Sequence, residues 1–60
     1  MIDFEVNRGI EGWWWRLFRD GQRLSSSASK IVPEYYTTKQ RAEKAARAEI
    51  ERVEAKESKS

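Results

Sequence analysis

The sequence predicts an α+β fold: a three-stranded antiparallel sheet (meander) with one C-terminal amphipathic helix packed on one face, in the order β-β-β-α. Three observations carry this. Apolar and polar residues alternate near the start of the chain, an Asp-Gly pair at Asp20 and Gly21 separates two further runs of strand composition, and after Thr38 the apolar spacing becomes helical.

Ile2, Phe4 and Val6 alternate with Asp3 and Glu5, which is the pattern of a half-buried strand over residues 2–7. Residues 8–12, RGIEG, carry two glycines and no period, and read as a turn. The aromatic run that follows, residues 13–19, has strong strand composition. Asp20-Gly21 is the dipeptide a two-residue type I′ hairpin prefers, because both central residues need positive φ. If Arg19 and Gln22 flank that turn, strict alternation pairs Leu17 with Leu24, Trp15 with Ser26 and Trp13 with Ala28 on one face. Phe18 then meets Arg23, Arg16 meets Ser25 and Trp14 meets Ser27 on the other. The third strand accordingly runs to Ala28, and Phe18 opposite Arg23 forms a cross-strand cation-π pair.

Beyond Ala28 the pattern dissolves. Pro33 disfavours helix at Val32, so residues 29–36 are a loop with an extended piece at residues 30–32. Thr37 or Thr38 is the N-cap of the helix, and Gln40, three residues after Thr37, suggests a capping box. Ala42, Ala45, Ala46, Ile50 and Val53 make one apolar stripe among strong helix formers over residues 39–55, with Glu43 and Arg47 as a favourable pair one turn apart. A stripe of mostly alanine lets the helix lie close to the sheet, on the face that carries Phe4, Trp15, Leu17 and Leu24. Residues 1–56 are thus one domain and residues 57–60 a frayed polar tail.

A chain of 60 residues has little core to stabilise it, and with no Cys and no His it lacks disulfides and the usual metal ligands. Self-association is the staple that remains, so a homodimer is expected, and no metal or cofactor is. The opening residues MIDFEV carry acids and no apolar run, and no stretch is long enough to span a bilayer; a cytoplasmic protein without a membrane partner is expected. The net charge of +2 is mild, but between Arg8 and Lys30 the bases Arg8, Arg16, Arg19, Arg23 and Lys30 face only Glu11 and Asp20.

These pieces resemble the YegP-like family of small bacterial domains of unknown function. The resemblance is carried by Phe4-Glu5-Val6, Gly12, Trp15-Arg16-Leu17, Asp20-Gly21, Ser25 to Ser27, Tyr36-Thr37-Thr38-Lys39, and Ala42, Ala45 and Ile50, and covers Phe4 to about Val53. Trp13-Trp14 stand where the family has more polar residues, Asp20 stands for Asn, and residues 29–35 are a longer bridge than is usual there. What the resemblance implies is a sheet-and-helix unit, found in tandem or, for a single unit, as a dimer that reproduces the tandem arrangement, with no catalytic residues.

Trp15 and Leu17 are core. Trp14, Arg16, Phe18 and Arg23 share the reverse face, which no second helix covers, and are the candidate protein interface, either between copies of this chain or with a heterologous partner. The alternative is a DNA-binding domain whose sheet contacts a groove, laid out like integrase arm-binding domains, with Arg16, Arg19, Arg23 and Lys30 as the nucleic-acid contacts. The mixed charges on the outer side of the helix read as a solvated face. The serines of SSSAS have no His to activate them and read as polar strand filling. Pairing of Glu49 with Asp3 or Glu5 lacks a cleft that could desolvate the carboxylates, so no enzyme and no small-molecule ligand is expected. Such a module is compatible with a phage or mobile-element inhibitor of a bacterial defence complex.

Overall fold

The computed structural model describes residues 2–58. Strands β1 (Ile2–Gly9), β2 (Gly12–Arg19) and β3 (Gln22–Ser26) form an antiparallel sheet in the order β1-β2-β3, and the helix α1 (Lys39–Ser58) lies against β1 and β2. The β-β-β-α arrangement read from the sequence is the arrangement of the chain.

β1 and β2 pair without interruption from Ile2↔Arg19 to Gly9↔Gly12, so β1 continues two residues past the expected end and only Ile10 and Glu11 form the bend. The second bend is the expected one. Asp20 and Gly21 both have positive φ, 49° and 83°, the backbone that a tight hairpin with right-handed strand twist demands.

The pairing of β2 with β3 departs from strict alternation. Arg19↔Gln22 and Phe18↔Arg23 pair as expected, but the next pairs are Leu17↔Ser25 and Arg16↔Ser26, so Leu24 is the extra residue of a β-bulge. Leucine does not meet leucine: Leu24 is 41% exposed and lies outside the core. The shift puts Ser26 opposite Arg16 instead of Trp15, and β3 ends there, so the expected pairs of Trp14 with Ser27 and Trp13 with Ala28 do not form either. Residues Ser27–Ser29 instead make a single 3-10 turn capped by Ser26, whose Oγ accepts the Ser29 N–H at 3.1 Å.

The chain leaves the sheet there and returns at one point. No strand forms at residues 30–32; rather Tyr36 pairs with Trp13, each N–H donating to the other's carbonyl at 2.8 Å. Tyr36 thereby resumes the edge that β3 vacated. Gly12, at φ 134°, makes this approach feasible, because a Cβ there would stand 2.9 Å from the Tyr36 carbonyl oxygen.

Thr38, one of the two expected caps, starts the helix: its Oγ1 accepts the Arg41 N–H at 3.2 Å. α1 extends to Ser58, three residues past the expected end, and its last turn is tied to β2 by an ion pair between Arg19 and Glu57. Lys59 and Ser60 of the expected tail lie outside the described residues. Trp15 (1% exposed), Leu17 (0%), Ile2 and Ala46 form the core, with Phe4, Val6, Tyr36, Ala45, Ile50 and Val53 packed around them. The small Ala42 and Ala46 face inward and are fully buried, which is what brings the helix axis near enough to the sheet to close over an indole. Arg47 does not pair with Glu43; its guanidinium lies 5.7 Å from the Phe4 ring centre, over the edge of the core.

Candidate functional site

Alternation along β2 decides the fate of the three consecutive tryptophans. Trp15 and Leu17 point to the helix, so Trp14, Arg16 and Phe18 point to the side that no element of the described residues covers. Pairing across the sheet sets this face out in rows. Asp3, Phe18 and Arg23 form the first, Glu5, Arg16 and Ser26 the second, and Asn7 and Trp14 the third.

The three β2 residues are half-buried even without a cover, because they cover one another. The Arg16 guanidinium lies 4.7 Å from the Trp14 ring centre and 6.0 Å from that of Phe18, and Glu5 stands 3.8 Å from its Nη1. The cation-π partner of Phe18 is therefore its own-strand neighbour Arg16 and not the cross-strand Arg23. Trp14 in turn lies across Gly9, whose Cβ position would be 3.4 Å from the indole Nε1. An aromatic ring laid over a strand glycine restores the packing that the missing side chain gives up. Arg16 Nε is buried without a hydrogen-bond partner, so stacking and Glu5, rather than a full hydrogen-bond set, orient this guanidinium.

The four cations expected at nucleic acid do not come together. Arg16 and Arg23 share the uncovered face, whereas Arg19 points to the helix side and meets Glu57, and Lys30 sits in the loop. Lys30 is bound to Glu34 at 2.5 Å, with its Nζ 5.5 Å from the Trp15 ring centre. The hydrogen bond to Glu57 raises the pKa of Arg19, and the hydrogen bond to Glu34 raises that of Lys30; each cation is already answered by a carboxylate. Of the four, Arg23 alone has no acidic partner within the described chain.

Glu49 is on the helix, and Asp3 and Glu5 are on the opposite side of the sheet, so the carboxylate pairing considered for acid-base chemistry is blocked by the sheet itself. Glu49 pairs with Arg52 at 3.2 Å. Beside them a depression of about 140 Å³, lined by Glu49, Arg52, Val53 and Lys56, is smaller than the ~300 Å³ at which small-molecule sites begin. Among the described residues no cluster of three metal-ligating side chains occurs, and no helix is long and apolar enough to cross a membrane.

Sequence reasoning missed two features. Ser26 and Ser27 are buried and hold backbone groups: the Trp15 N–H donates to Ser27 Oγ at 3.1 Å, in the place β3 has left. Ile10, 107% exposed, and Ile31 and Val32 in the loop are apolar side chains in open solvent. The only sequence signal for the latter was an apolar pair directly before Pro33. Beside the first bend, the interaction with Glu11 raises the pKa of Tyr35 above its ordinary value.

Comparison with family models, with curated proteins and with solved structures returns no match, so the functional reading rests on the chemistry of the uncovered face.

Proposed function

We propose that this chain is a small non-enzymatic binding module whose uncovered sheet face, with Trp14, Arg16, Phe18 and Arg23, is a protein interface. The observation that supports it is the stack of Trp14, Arg16 and Phe18 on a face without a covering element. Trp and Arg dominate binding hot spots, and side chains already held in place lose less freedom on docking. Groove binding by the sheet is the weaker reading, because Arg16, Arg19 and Lys30 each already face a glutamate, which leaves little free charge to displace counterions from phosphates.

The test compares neighbouring tryptophans. Trp14→Ala combined with Arg16→Ala should keep the far-ultraviolet circular dichroism spectrum and abolish protein association. Trp15→Ala removes a buried aromatic, about 3–5 kcal/mol, against a total stability of roughly 3–9 kcal/mol for a chain of this length, and should unfold the domain. If the double variant still retains every partner of the parent protein, the interface lies elsewhere. Salt-dependent binding of random duplex DNA at the affinity of the protein contact would favour the groove reading instead.

A further inference from the structure

We infer that the occupant of this face is a second copy of the chain, stacked face to face about a two-fold axis that runs along β2. The inference rests on the reading of this face as an interface and adds the identity and orientation of what binds there.

The ground is the order of charge across the strands. In the row through Phe18, an acid, Asp3, stands on β1 and a base, Arg23, on β3, with the aromatic ring between them. Both are exposed, and neither has an ionic partner within the described chain, whereas Arg16, Arg19 and Lys30 all do. The row is thus complementary to itself in reverse order.

Two in-plane axes relate stacked sheets of this kind. An axis along β2 exchanges left and right and keeps height, so β1 lies over β3 of the second copy. Asp3 then faces the second copy's Arg23 twice, once on each side, and Phe18 and Trp14 meet their own images along the centre. An axis across the strands sets β1 over β1 and brings the acids Asp3 and Glu5 over each other, which is repulsive. Charge order selects the first. Arg16 meets its image there, but each Arg16 comes with Glu5 at 3.8 Å and two rings, so the units that meet are neutral. Aligned sheets cross at roughly 30° about 10 Å apart. That displaces a group about 8 Å from the centre by only about 4 Å, within the reach of an arginine.

The face is small. Strands of eight, eight and five residues, at about 3.3 Å per residue and about 4.8 Å between strands, give roughly 330 Å² of footprint, less than the ~800 Å² per partner of a standard interface. The dimer is therefore weak, and association should be read from micromolar to millimolar protein.

Sedimentation equilibrium over that range tests it with Asp3→Arg and Arg23→Asp, both at exposed positions and checked for an unchanged circular dichroism spectrum. Each variant alone places like charges at both crossings and should dimerise at least about tenfold more weakly than the parent. An equimolar mixture places opposite charges at both crossings and should regain the parent affinity as a one-to-one heterodimer. A parent dimer indifferent to both variants, or a mixture that regains nothing, overturns the axis. If that dimer is nonetheless lost in Trp14→Ala, the face remains the interface and only the orientation fails. A parent protein monomeric at millimolar concentration overturns the second copy as occupant, while loss of a heterologous partner in the Trp14, Arg16 double variant would still uphold the face.

Discussion

Replacing Ser27 by alanine probes how β2 survives the early end of β3. Along β2 the residues whose backbone groups point toward β3 are the odd-numbered ones, as the reciprocal bonds between Trp13 and Tyr36 show. At Trp15 no β3 residue remains to pair with, and Ser27 Oγ accepts the N–H at 3.1 Å from a position that is 0% exposed. Alanine leaves that donor buried with no acceptor, at a cost of about 1–3 kcal/mol. For a domain of this size each kcal/mol shifts the melting temperature by about 4–8 °C, so a mid-range loss of ~2 kcal/mol lowers it by about 8–16 °C. Thermal unfolding followed by circular dichroism reads the shift, and native-state hydrogen exchange should show the Trp15 amide losing protection. Ser25→Ala, on the exposed part of β3, is the control and should stay within about 0.5 kcal/mol of the parent. A melting temperature within about 2 °C of the parent, with Trp15 exchange unchanged, would show that the N–H is satisfied without Ser27.

Two other outcomes are expected. Gly12→Ala must cost more than Gly21→Ala: the first meets both an unfavourable φ of 134° and the Tyr36 carbonyl at 2.9 Å, the second only a φ of 83° in open space. Strain of about 1–3 kcal/mol applies at Gly12 before the Trp13–Tyr36 bridge is disturbed, and the reverse order of urea midpoints would sink the close-approach argument. The Tyr35 hydroxyl titrates above its ordinary value through its interaction with Glu11, so the folded state favours the protonated phenol; that contribution is complete below about pH 10 and is lost as pH rises through the folded pKa. Nuclear magnetic resonance of the Tyr35 ring should show its midpoint falling in Glu11→Gln, and an equal midpoint in both proteins would remove Glu11 as the cause.

Much of the candidate site was legible because strand alternation is local. Once β2 is a strand, Trp14, Arg16 and Phe18 must share a face, and the alanine stripe must seek the other one. Which cations on that first half are free was not legible. The partner of Arg19 is Glu57, 38 residues away, and only the docked helix brings them together. Arg23 stays unpaired for the same reason, since α1 is on the far side of the sheet.

What depends on near neighbours could be read from the chain alone: three strands and a helix, the positive-φ bend at Asp20 and Gly21, a threonine cap at Thr37 or Thr38, and the sorting of alternate indoles to opposite sides, with the docked chain selecting Thr38 as the cap. Tertiary structure decided the bulge at Leu24, the end of β3 at Ser26, and the return of the chain at Tyr36. The physical reason is that an alternating pattern says which way a side chain points but not how long a neighbouring strand stays. The strand can leave after Ser26 because the Ser27 hydroxyl and the Tyr36 backbone, from outside the hairpin, satisfy the β2 groups it abandons at Trp15 and Trp13.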